Sequence, residues 1–199
     1  IDRITSEFAS GARLCVQAGF DSIELHLGHN YLLSAFLSPA FNRREDRWGG
    51  ALEHRARFAR QVMRAVRVAA GNRVAVTAKL NMVDGVPGGL QLEDSLQVAQ
   101  WLADDCTVDA LELTGGSSLA NPMFLFKGGT PVKEFGETLP WFLRPGFRLV
   151  GAKFLRSYPY QEAYFRDMAE QYRDLLDLPI ILLGGISELA TAQSAIDDG

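Results

Sequence analysis

Four short apolar runs constrain this chain more than any other feature. SIELH (22–26), VAVTAKL (74–80), DALELT (109–114) and PIILL (179–183) have strand length and are rich in aliphatic and β-branched residues. The stretches between them carry a helical period. Apolar groups recur at Ile4, Phe8, Ala12 and Cys15, at Leu52, Ala56, Ala59, Val62, Met63 and Val66, and at Leu92, Leu96, Val98, Ala99 and Leu102. A further helix is predicted over 159–176, and a last one starting near Ser187, whose hydroxyl suits an N-cap. Gly19 suits the C-cap of the first helix. Strands separated by helices pair in parallel, so the chain is α/β, one domain over 1–199. Pattern alone leaves an open doubly wound sheet and a closed barrel both standing. No GxGxxG follows the first strand, so a dinucleotide-binding Rossmann unit has no local support.

Composition narrows the class of function. The 199 residues are 47% hydrophobic and 22% charged, with a net charge of −4. Lysine and arginine are scattered rather than clustered, which argues against a nucleic-acid partner. No apolar run approaches the ~20 residues that span a membrane. Cys15 and Cys106 form no CxxC pair and read as reduced structural thiols, which fits a reducing, cytoplasmic compartment. A homo-oligomer is compatible with all of this.

The chemistry concentrates just past the first strand. His26 and His29 lie three apart, Tyr31 two further on, and a cluster of charge and glycine follows Pro39. Residues i and i+3 of a strand face opposite sides, so the histidines can meet only if the strand ends at or just after His26. Gly28 is expected to ease that turn. From the residues alone, the pair reads as satisfied loop histidines, a metal pair or a substrate-binding pair. Arg44, Asp46, Glu53, Arg55 and Arg57, around Gly49 and Gly50, read as a salt-bridged brace with Trp48 packed in it. Residues 117–151 show no clean period, and a connection that long is usually functional or disordered. Phe124, Phe126, Phe135, Trp141 and Phe142 argue against disorder, because so much aromatic surface favours burial.

These residues resemble a known family. Glu24, His26, His29, Tyr31 and Leu32 follow one block of its pattern. Phe36, Leu37, Ser38, Pro39, Asn42, Arg44, Asp46, Trp48, Gly49 and Gly50 follow the second, and Glu53, Arg55, Arg57 and Phe58 the third, with His54 where asparagine is usual. The pattern is that of the old yellow enzymes, the FMN-dependent NAD(P)H:flavin oxidoreductases. The resemblance implies a TIM barrel in which the four runs are strands four to seven of eight, so the chain is expected to cover about half of such an enzyme. It implies FMN as cofactor, NADH or NADPH as electron donor and an activated alkene such as an enone as small-molecule substrate. It further implies that His26 and His29 hold the substrate oxygen, that Tyr31 donates a proton and that Lys79 lies beside the flavin. The alternative for Lys79 is a structural ion pair with Glu24 or Glu112. Gly184 and Gly185 would form half of the FMN phosphate site, aided by the following helix N-terminus; Gly115 and Gly116 read as a tight turn. No metal is expected. The rivals are a relative with an iron–sulfur cluster, similar to dienoyl-CoA reductases, whose cysteines would lie beyond residue 199, a barrel fragment that does not bind FMN alone, and a metal-dependent hydrolase using the histidine pair.

Overall fold

The computed structural model describes residues 1–199, the side chains of Ala152 and Phe154 excepted. Helix α1 (Asp2–Ala18) ends at Gly19, which takes the left-handed conformation (φ 85°) and closes its N–H onto the Cys15 and Val16 carbonyls. Strand β1 (Ser22–Leu27) follows, then α2 (Leu32–Leu37) and α3 (Leu52–Ala70). Next come β2 (Ala75–Asn81), α4 (Leu92–Asp104) and β3 (Ala110–Thr114). The long connection holds α5 (Pro122–Phe126), α6 (Val132–Thr138) and α7 (Arg144–Phe154). The chain continues with α8 (Arg166–Leu175), β4 (Ile180–Leu182) and α9 (Leu189–Asp197).

The strands pair in parallel in the order β1-β2-β3-β4. The sequential order runs one way across the sheet, with no point where it reverses. The register sorts the two faces. Leu25, Ala78, Leu111 and Ile180 form one cross-sheet row, and Leu27, Leu80, Leu113 and Leu182 another. These rows pack on Val62, Met63 and Val66 of α3, Val98, Ala99 and Leu102 of α4, and Ala169 and Tyr172 of α8. Each buried leucine contributes about 1.5–3 kcal/mol relative to exposure, so this face is pinned and a one-residue slip is forbidden. The opposite face is therefore specified as well: His26, Lys79, Glu112 and Ile181 stand in one row across it.

Three expectations change. Residues 117–151 are helical in part, and their period is weak because the helices are short and pack on each other, Phe135 against Phe147 at 5.2 Å between ring centroids. Burial of the aromatics there holds for Phe124, which packs against the core, and fails for Phe126, Trp141 and Phe142, each more than 60% exposed. Ser187 is not the cap of the last helix; Glu188 is. The Ser187 N–H and hydroxyl both donate instead to Glu162, in a segment (159–165) that was expected to be helical.

Candidate active site

Strand β1 ends at Leu27, and the chain turns so sharply that the two histidine rings meet, centroids 4.9 Å apart and edge to face. The turn is not made by the glycine. His29 (φ 58°) and Asn30 (φ 59°) are the left-handed residues, a conformation that histidine and asparagine tolerate better than most. Gly28 is needed for space: a Cβ there would lie 3.0 Å from Thr114 Cγ2 and 3.1 Å from both Asn81 Oδ1 and His26 Cε1.

Neighbouring strand ends hold the loop. The His29 N–H donates to Asn81 Oδ1 at 2.9 Å, and His29 Nε2 lies 2.9 Å from Thr114 Oγ1. Asn81 is itself fixed, its Nδ2 donating to Asp84 Oδ1 and the Gly116 carbonyl. His29 also bridges to Ser117, which ties the loop to the start of the long connection. Asn81 and Thr114 were not singled out from the sequence. Their signal was the period of two, which places Asn81 with Lys79 and Thr114 with Glu112 on the polar face.

Tyr31 caps the start of α2 and does not pack beneath the loop; it is 56% exposed, with its ring 5.1 Å from that of His26. His26 therefore sits between His29 and Tyr31. Burial, then the Lys79 charge, lowers the His26 pKa. Burial, then His26 and Lys79, lowers that of His29 to about 4. Both rings are neutral near pH 7, so each carries one N–H. His26 Nδ1 is buried without a partner, and a proton there would be a donor with no acceptor, so its N–H belongs at Nε2. If Thr114 donates to His29 Nε2, the His29 N–H is at Nδ1. The site then presents two N–H donors on adjacent rings.

Lys79 lies in the same row. Its Nζ is 3.0 Å from Glu112 Oε1 and 3.3 Å from Glu24 Oε1. Burial lowers its pKa, but the two carboxylates outweigh burial and the net shift is upward. The brace downstream is built in part: Arg44 pairs with Asp46, and Arg55 reaches the Leu37 and Gly50 carbonyls and, outside the predicted cluster, Asp94, while Glu53 and Arg57 join no ion pair among the described residues. Trp48 is buried against Phe58.

Gly184 (φ 113°) and Gly185 (φ 70°) form the turn after β4. A Cβ on either would collide with the Tyr164 ring, at 2.7 and 2.6 Å. Just ahead of α9, Glu162 accepts from the Ser187 and Glu188 N–H groups, the Ser187 hydroxyl and the Tyr160 hydroxyl. The Ser187 hydroxyl, then the Tyr160 hydroxyl, hold its pKa down at about 2. The N–H groups of Gly184 and Gly185 make no hydrogen bond among the described residues. The glycines make room for the Tyr164 ring, and their N–H groups, without a partner among the described residues, suit the phosphate of a cofactor such as FMN.

Comparison with known proteins agrees. Residues 1–119 match the model of the NADH:flavin oxidoreductase / NADH oxidase family. The chain is 51% identical over its whole length to 4,4'-dithiodibutanoate disulfide reductase of Rhodococcus erythropolis, covering 49% of that protein. It is 32% identical to an NADH-dependent flavin oxidoreductase of Talaromyces variabilis, covering 100% of this chain and 43% of that one. It superposes on a morphinone reductase variant in complex with tetrahydroNAD, a TIM-barrel enzyme, with TM-score 0.62 and 25% identity over 99% of this chain and 42% of that one. The chain thus spans about half the length of the proteins it matches.

Proposed function

Because the chain belongs to the NADH:flavin oxidoreductase / NADH oxidase family, we propose that it carries the substrate-binding side of an FMN-dependent reductase site in a TIM barrel. The observation that carries this reading is the meeting of two histidine rings beside an exposed tyrosine at the C-terminal end of β1, the end at which such barrels place their chemistry. Lys79, Gly184 and Gly185 would hold FMN, which when bound would supply hydride transfer from NADH or NADPH to an acceptor.

The chain's own residues prepare that acceptor. His26 Nε2–H and His29 Nδ1–H converge on its oxygen. As an enone is reduced, negative charge collects on that oxygen, and two fixed donors in a partly buried site stabilise it. The Tyr31 hydroxyl protonates the α-carbon. The Lys79 charge favours anionic reduced flavin, and the Gly184 and Gly185 N–H groups hold the phosphate.

A second acceptor class is favoured by the relative at 51% identity, a disulfide reductase. A disulfide taking up two electrons and a proton leaves one thiol and one thiolate, and the same histidine donors suit a developing thiolate.

The test uses the complete gene product. Its visible spectrum is recorded before and after anaerobic NADH or NADPH, then after an enone or 4,4'-dithiodibutanoate. The expected result is a flavin band that bleaches with nicotinamide and returns with an acceptor, and a return that slows when His26 or His29 becomes alanine. A protein that takes up no FMN refutes the reading.

A further inference from the structure

The polar face of the sheet carries one cation and two anions in contact. Lys79 on β2 lies between Glu24 on β1 and Glu112 on β3, at 3.3 and 3.0 Å. Glu112 stands directly opposite Lys79 in register, and Glu24 stands one inward-facing position below His26, the other neighbour of Lys79. Among the described residues neither carboxylate has another cationic partner. The lysine side chain is 24% exposed, and those of Glu24 and Glu112 34% and 15%. Charges this close and this shielded interact far more strongly than surface pairs. Burial, then the contact with Glu112, raises the Glu24 pKa; with both carboxylates ionised the cluster sums to −1, and with Glu24 protonated it is neutral, whereas the lysine alone would present +1.

We propose that Glu24 and Glu112 are positioning residues for Lys79: they hold its ammonium against the sheet and offset its charge, so that it raises the potential of a bound flavin less than an uncompensated cation would. This rests on the flavoenzyme reading above. The cluster is a governor on the cofactor rather than a brace between strands. Removing one carboxylate acts twice in the same direction. It deletes a negative charge near the flavin, and it releases the ammonium to approach the anionic reduced ring.

The experiment is a dye-equilibration measurement of the flavin midpoint potential in the FMN-loaded complete protein. Glu112→Gln is expected to raise the reduced-to-oxidised ratio at a fixed dye potential at least tenfold, equivalent to about 30 mV for a two-electron couple. Glu24→Gln shifts it the same way. Glu112→Asp, which keeps the charge, stays near wild type. Lys79→Met lowers the ratio, and the Glu112→Gln shift shrinks in that background because no ammonium remains to be released. An unchanged or lower ratio in Glu112→Gln, with FMN bound normally, overturns the proposal and leaves the flavoenzyme reading intact. A wild-type protein that holds no FMN overturns both.

Discussion

Thr114 controls which nitrogen of His29 can serve a substrate. Its hydroxyl is fully buried and lies 2.9 Å from His29 Nε2. If it donates, the imidazole keeps its proton at Nδ1 and can hydrogen-bond a substrate oxygen. If it accepts, Nδ1 has no proton and the pair loses one donor. The proposed mechanism therefore requires a donating threonine. Thr114→Val keeps the shape, removes the hydroxyl and leaves Nε2 without a buried partner. A net hydrogen bond contributes about 1 kcal/mol, and an unsatisfied buried nitrogen costs about 1–3 kcal/mol. Part of that cost falls on folding. The remainder, about 1–2 kcal/mol, falls on holding the productive tautomer and corresponds to an affinity loss of about five- to thirty-fold. Titration of the oxidised, FMN-loaded protein with an enone ligand reads the affinity, and ¹⁵N NMR of labelled imidazoles reads the tautomer. The expected wild-type spectrum shows His29 protonated at Nδ1, with the valine variant losing that preference. A wild-type His29 protonated at Nε2, or a valine variant with unaltered affinity, refutes the reasoning.

Three further outcomes are expected. Tyr31→Phe, at an exposed position, leaves urea stability within about 0.5 kcal/mol, while reoxidation by an enone slows in stopped-flow traces and ligand affinity changes little. Gly28→Ala crowds Thr114, Asn81 and His26, for an overpacking cost of about 1–3 kcal/mol, partly offset by about 0.4–1 kcal/mol from a stiffer unfolded chain; acceptor turnover falls more than the urea midpoint does. The third concerns pH. The folded His29 pKa of about 4 lies below the ordinary 6.5, so between those values the unfolded chain binds more protons than the folded one. This contribution is complete above about pH 6.5 and is lost as pH falls towards 4. His26 acts with the same sign. The urea midpoint therefore drops from pH 7 to pH 5, and His29→Gln flattens that drop; an unchanged slope would show that His29 titrates normally.

The secondary structure was largely legible because two strong periods coincide with burial. Helices α1, α3 and α4 fall where apolar residues recur three and four apart, and β1 to β3 where short aliphatic runs end in polar residues. The 117–151 region was illegible for the opposite reason. Its helices bury little, so Trp141 and Phe142 stay exposed and no period is enforced. Ser187 misled because an acceptor arrives from outside the local sequence: Glu162, 25 residues away, takes the Ser187 hydroxyl and its N–H, and the helix starts one residue later, after Glu188.

The site divides along the same line. His26, His29, Tyr31, Lys79, Gly184 and Gly185 stand out in the sequence as candidates by residue type and spacing. Their relations do not, because hydrogen bonds and ion pairs between strands are set by register. Only pairing of β2 with β1 and β3 sets Lys79 between Glu24 and Glu112, brings Asn81 and Thr114 to His29, and turns Gly28 from a hinge into a clearance. A linear sequence encodes which face each strand residue takes, through its alternation of two. How far one strand slides along the next is decided by packing the leucine rows against α3, α4 and α8, and so is the charge balance around Lys79.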